Sequence, residues 1–450
     1  MGPGLSALLV FVVLIVIWAV VLKRNITEAA LLSLIVLPFF CGVDAAPGLM
    51  LGGIKYALNY EVLFASLAFV FMSFLLQNSN VLNGMLHIFT RLFGRLKGGP
   101  AYVNTGISSV LGCMSGGNTP NAATSGAFTA EWLLKSGWSR EQAATLIAAN
   151  GGLASGFPPS SSLFIVLGFP TVAGLVSEGQ LYIALFVTGI YQVLWRIVYI
   201  QYVVRKNHIQ PTAHGTQESV GEVMRKYGIT LTLFLGAIIP VALNMGPIPS
   251  TLSAINDTWS TAVESLNLLV WLPTLMILII LLLDGKNIVK RFSGWEDFVE
   301  KLIPHMSSIG GLLFFIFAAS NVISNLGLDD DMVALMDRMN LSPVMTIILV
   351  FALVAFVAGP LSSTATLTSV GVVSHAILVG VGVDPLAAAA ALLLVASTEG
   401  ASPPASGALF VACGLTECDP PKIYVPLIAW FVVPIVVIAC LVAGGILPLP

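Results

Sequence analysis

Charge is what this chain has least of. Of 450 residues only 19 are Lys or Arg and 22 are Asp or Glu, while 57% are apolar and the mean hydropathy is +0.95. A soluble domain of this length exposes far more charge, which removes soluble enzymes from consideration. A net charge of −3 marks no nucleic-acid partner, and none is expected; in a chain this apolar the placement of charges informs more than their sum. Histidine and cysteine are equally scarce, at 5 each. Cys41, Cys113, Cys413, Cys418 and Cys440 lie in or beside apolar runs without metal-ligand spacing, so they read as small packing residues. No phosphate-binding loop, catalytic triad or zinc motif stands in a credible context, so neither enzymatic activity nor a cofactor is expected.

What is present is a series of apolar runs of bilayer-crossing length, about 17 to 25 residues. They fall near residues 5–22, 27–43, 61–82, 179–204, 228–244, 267–284, 304–325 and 423–447, with two further runs, 141–169 and 385–412, that are broken. The first lacks the basic start and cleavage site of a signal peptide and is taken as a retained helix. Regions 105–134 and 344–381 are too interrupted to cross as single helices, and each reads as a re-entrant hairpin with a polar tip. With that threading, basic residues such as Lys23, Arg24, Arg91, Arg140, Arg205 and Lys290 gather on one side, and only Lys55 and Arg338 fall on the other. The basic side is cytoplasmic by the positive-inside rule, which places both chain ends outside. Arg196 lies inside a span near its cytoplasmic end, where it can snorkel. Short amphipathic surface helices are expected at 220–227 and at 287–302.

The chain also repeats itself. The break CMSGGNTPNAATSG (Cys113 to Gly126) followed by ASGFPPSSS (Ala154 to Ser162) returns as AGPLSSTATLTS (Ala358 to Ser369) followed by TEGASPPASG (Thr398 to Gly407). At an offset of 245, Gly137 falls on Gly382, Pro158 on Pro403, Pro159 on Pro404 and Ser161 on Ser406. The threading brings the first hairpin in from the cytoplasm and the second from outside, so the repeats are expected to be inverted. Paired Gly/Pro interruptions at matching places in two halves point to the binding site of a secondary transporter.

Backbone breaks at membrane depth must be buried in protein or bind something polar, because each unsatisfied amide or carbonyl costs several kcal/mol there. Free carbonyls at a half-helix C-terminus suit a small hard cation, and free amides at an N-terminus suit a carboxylate. Neutral oxygens crowd these breaks and favour sodium over a transition metal. The candidate sodium-site residues are Ser115, Gly117, Asn118, Thr119, Gly152, Gly156, Pro158, Ser362, Ser363, Thr364, Gly400 and Ser402. Asn121, Ser160, Ser161, Thr366, Glu399 and Ser406 are the candidates for contact with substrate. His375 could relay a proton or bond one helix to another.

On GRLKGGPAYVNTGISSVLGCMSGG (Gly94 to Gly117), GWSREQAATLIAANGGLASGFPPSSSLFIVLG (Gly137 to Gly168) and GVDPLAAAAALLLVASTEGASPPASGALFVACGL (Gly382 to Leu415), the chain resembles the large membrane subunit of tripartite ATP-independent periplasmic (TRAP) transporters, within the ion-transporter superfamily of elevator carriers. The resemblance implies an all-α polytopic protein of two repeats, each with a hairpin and a broken helix. It also implies sodium coupling, a small four-helix membrane partner and an extracytoplasmic binding protein that delivers an organic acid. The small partner is expected as a separate chain, since no four-helix block precedes Gly94. Where the family's hairpin tips have acidic residues this chain has Asn121 and Ser362, and it gains Glu399 in the second broken helix. Glu399 is read either as protonated or capping free backbone amides, or as the replacement for the acid missing at Ser362, restoring a charge to the second cation site or binding a proton in its place.

The expected organisation is residues 1–90 as N-terminal scaffold, 91–178 as the first transport half, 179–343 as further scaffold with the cytoplasmic linker, 344–422 as the second transport half and 423–450 as a last helix. The expected function is sodium-coupled import of a small organic anion across the inner membrane. A stand-alone proton- or sodium-coupled symporter is the alternative carrier; a channel or a non-transporting assembly subunit is the alternative of another class.

Overall fold

The computed structural model describes residues 2–22, 24–115, 117–211, 218–244, 248, 251, 254–256, 258, 261, 267–328, 331, 342–404 and 406–450. Expectations resting on Lys23 and Arg338, and on the side chains of Cys113 and Ser115, lie outside the described residues.

Among the described residues the structure is helical throughout, without a strand. Six helices are long and apolar enough to cross a bilayer, or seven if Ala46–Asn59 and Glu61–Gln77, bent by 49° at Tyr60, count as one span. Five of the six coincide with expected spans: Glu178–Lys206, Val220–Leu243, Val270–Lys290, Trp295–Asn325 and Pro421–Ala443. The sixth, Ser363–Gly380, is the return arm of the second hairpin and packs back on Pro343–Val357.

The repeat seen in the text recurs in the helix boundaries. Asn118–Lys135 and Ser363–Gly380 begin and end 245 residues apart, and so do Arg140–Gly151 and Pro385–Ala396. Local chemistry explains the match. Gly137 (φ +99) and Gly382 (φ +90) make left-handed turns that favour glycine, and two residues later Ser139 and Asp384 cap the next helix. Ser139 accepts from the Gln142 amide in a full capping box, and Asp384 accepts from the Ala387 amide. Both Pro-Pro bonds, Pro158–Pro159 and Pro403–Pro404, are cis.

The two broken helices sit at the centre. Every residue from Ala143 to Gly151 and from Ala387 to Ala396 is buried, so neither has a lipid-facing side. The first hairpin, Gly99–Ser115 with Asn118–Lys135, packs on one flank, and Pro343–Val357 with Ser363–Gly380 on the other. Apolar side chains such as Leu282, Val289 and Phe356 are exposed on the outer helices, where lipid replaces water as solvent.

Three expectations are corrected. Helices Ala46–Asn59 and Val81–Phe93 were not foreseen; the first is rich in glycine, and Gly53 lies so close to the Ala318 carbonyl that a Cβ would come within 2.6 Å of it. The surface helix expected at 287–302 does not exist as a unit. Its first part ends the span Leu268–Lys290 and its second opens the continuous helix Trp295–Asn325, because Phe298 turns inward onto Phe74 and Phe292 with ring centroids 5.5 and 5.0 Å away. Arg196 does not snorkel: it is 2% exposed and points into the protein. Val220–Tyr227 is helical, with a Ser219–Glu222 capping box, but it runs on without a gap into the span that ends at Leu243.

Candidate functional site

Four buried polar side chains from four elements meet where the repeats touch. Asn118 opens the return arm of the first hairpin and Ser363 that of the second; Ser155 and Glu399 come from the breaks of the first and second broken helices. The Asn118 amide donates to Ser363 Oγ at 2.8 Å and to Glu399 Oε2, and its Oδ1 accepts from Ser155 Oγ at 3.0 Å. Ser363 Oγ lies 3.2 Å from Ser155 Oγ and 3.5 Å from Glu399 Oε2. Each hairpin tip thus reaches both broken helices.

The backbone allows this only through glycine. A Cβ on Gly152 would come within 2.2 Å of the Ser397 carbonyl, and one on Gly400 within 2.6 Å of the Gly152 nitrogen, so the two breaks cross in direct main-chain contact. Gly151 approaches the Asn118 carbonyl and Gly407 approaches Thr119 just as closely. Gly156 lies against Gln192 of the long helix Glu178–Lys206.

The remaining predicted residues divide by what they touch. Asn121 is fully buried, and its amide nitrogen donates to the carbonyls of Ser108, Asn150 and Gly151 at 3.1 to 3.3 Å, tying hairpin to broken helix. Ser160 and Ser406 cap the helices that resume after the Pro-Pro turns, bonding the amides of Leu163 and Leu409; Ser161 opens the first of those helices. Ser402 bonds the Thr398 carbonyl at 2.8 Å. Ser362 is exposed, caps the Ala365 amide and lies 3.1 Å from Thr364 Oγ1. The hydroxyl beside Glu399 is that of Ser363 and not Ser362, and among the described residues the donors at Glu399 are the side chains of Asn118 and Ser363. Thr366 Oγ1 and Asn121 Oδ1, at matching positions of the two repeats, are buried without a hydrogen-bond partner. Gly117 caps the return arm of the first hairpin and Pro158 lines an apolar cavity of about 200 Å³ toward Phe186 and Phe234.

Sequence reasoning missed Ser155, Gln192 and Arg196. Arg196 donates to the Ala149 carbonyl at 2.7 Å, to Asn150 Oδ1 at 2.9 Å and to the carbonyl and side-chain oxygens of Gln192, and lies 5.7 Å from the ring centroid of Phe431. Gln192 Oε1 also accepts from Ser397 Oγ at 3.2 Å, so one helix holds both breaks. His375 bridges Thr171 Oγ1 (2.9 Å) and the Pro385 carbonyl (3.0 Å), a tie between elements. Among the described residues no group of three His, Cys, Asp or Glu could hold a metal ion. The breaks instead offer hydroxyls, amides, carbonyls and one carboxylate, a set suited to a proton or a hard monovalent cation.

A profile of the family described as tripartite ATP-independent periplasmic transporter, DctM component, matches residues 5–444. No curated protein matches the chain. Among solved structures, MtrF of Neisseria gonorrhoeae, described as illuminating a class of antimetabolite efflux pumps, is similar with a TM-score of 0.54. The match covers 91% of this chain and 86% of that one at 13% identity, a likeness of fold alone.

Proposed function

Because the chain belongs to the DctM component family of TRAP transporters, we propose that it is the large permease subunit of such a system and imports a small organic anion, in the first place a carboxylate, coupled to sodium ions or protons. The observation that carries this reading is the meeting of Asn118, Ser155, Ser363 and Glu399: four buried polar groups from two hairpins and two broken helices, one of them a carboxylate without an ion-pair partner among the described residues. A coupling cation bound there neutralises Glu399 and holds both tips; the anion binds beside it, where its charge is compensated.

The repeats are inverted in this reading, with the hairpins re-entrant from opposite sides and both chain ends outside the inner membrane. Hairpins and broken helices travel together as an elevator. The helix Glu178–Lys206, expected from the sequence to belong to the scaffold, travels with them in this reading, since Gln192 and Arg196 fasten it to both breaks. A small four-helix membrane subunit holds the outer helices, and an extracytoplasmic binding protein delivers the anion.

The test is uptake of a panel of labelled mono- and dicarboxylates into proteoliposomes, with and without the small subunit and an extracytoplasmic protein fraction. Sodium is exchanged for potassium, and a pH gradient is imposed in separate arms. Accumulation driven by sodium or by protons is expected; downhill flux alone, indifferent to both, would make the protein a channel.

A further inference from the structure

The two halves share a backbone plan but are electrically unlike. Arg196 falls on Leu441 at the repeat offset of 245, Asn121 on Thr366, and Ala154 on Glu399. The first half therefore holds a buried fixed cation and the second a buried carboxylate.

The difference reaches the carbonyls that close the broken helices. In the first half the Ala149 carbonyl accepts from the Arg196 guanidinium at 2.7 Å, and the carbonyls of Asn150 and Gly151 accept from the Asn121 amide at 3.3 and 3.2 Å. In the second half the equivalent carbonyls of Leu394 and Val395 accept, among the described side chains, only from hydroxyls, from Ser397 at 2.6 Å and Thr398 at 2.7 Å. Nitrogen donors have no lone pair to offer a cation, and a guanidinium keeps its proton and its charge. Hydroxyls can rotate and present oxygen to an ion while their carbonyls are released to it. Among the described residues Arg196 has no carboxylate partner, so its charge is compensated by the negative end of the first broken helix, the same partial charge a mobile cation would use.

Resting on the cation-coupled reading above, we propose that Arg196 is a tethered cation standing at the end of the first broken helix, so that this half takes up no mobile cation and the protein binds a single coupling ion, beside Glu399. In the first half the guanidinium positions the break by holding Ala149 and Asn150; in the second the ion does the equivalent work and leaves in each cycle.

The experiment counts ions on the purified full-length protein. Sodium binding is followed by calorimetry and by thermal stabilisation, with choline chloride keeping ionic strength constant and a pH dye reporting displaced protons. One sodium bound per chain with a Hill coefficient of 1, displacing at most one proton as it binds, is expected of the wild type. Arg196→Lys keeps the charge and should keep that count, whereas Arg196→Met removes it and should raise the count from one sodium to two as the first end becomes available. Two sodium ions per wild-type chain would overturn this inference and leave the transport reading standing. Absence of any sodium or proton exchange, in binding and in transport alike, would overturn both. The wild-type count decides the matter even if Arg196→Met does not fold.

Discussion

Asn118 and Ser363, equivalent residues of the two repeats, hydrogen-bond to each other at 2.8 Å across 245 residues of chain. This bond marks where the two halves meet. Their neighbours Thr119 and Thr364 are also equivalent and are both half-buried.

With inverted repeats, those neighbours open to opposite sides. Cysteines placed at Thr119 and Thr364 in a background lacking the natural cysteines should react with an impermeant thiol reagent from the cytoplasm and from outside, respectively. Each should be protected while the other reacts. Labelling of both from the same face would contradict the inversion.

The crossing of the breaks gives a second prediction. Gly152→Ala drives a methyl into the Ser397 carbonyl and Gly400→Ala drives one into the Gly152 nitrogen, both main-chain atoms with nowhere to go. Each should abolish transport and lower stability by about 1 to 3 kcal/mol, read as a fall in melting temperature in detergent. Gly414→Ala serves as control: a Cβ there meets nothing within 4 Å, and the change should be neutral or stabilising by up to about 1 kcal/mol.

Much of this architecture was legible in the residues. Gly137, Gly382 and the two Pro-Pro pairs carry backbone requirements that survive in text, and so the repeat and its breaks could be read. The meeting of the breaks could not, since Ser155 looks like one more small residue in a small-residue stretch until the other repeat is folded against it. Arg196 was misjudged for a related reason. A long basic side chain near a helix end normally reaches for water, but here the C-terminal carbonyls of a neighbouring half-helix are nearer and unsatisfied. The helix Ala46–Asn59 falls between two of the expected runs, and the missing side chain of Gly53 is what lets it lie on Ala318.

Glu399 carries the last prediction. It is 7% exposed, and among the described residues no Lys, Arg or His forms an ion pair with it. Burying a charge without an ion pair is costly, so the resting carboxyl has reason to hold a proton or a cation. Its Oε2 accepts from Asn118 and faces Ser363 Oγ at 3.5 Å, and a glutamine oxygen can accept from the same two groups. Glu399→Gln should therefore insert and fold as the wild type does, with a melting temperature close to it in the absence of sodium. What it loses is the charge. Taking about 1.5 to 3 kcal/mol for a hydrogen bond or ligand contact to a charged group, affinity for the coupling ion should fall roughly 10- to 100-fold. Sodium stimulation of uptake should weaken to match, or pH dependence should disappear if the ion is a proton. Glu399→Asp keeps the charge but is one methylene shorter, and should fall between the two. Wild-type rates with unaltered sodium and pH profiles in Glu399→Gln would reduce Glu399 to a fastening between the hairpin tips, and would leave Ser155, Ser363 and the carbonyls of the second break to bind the ion without it.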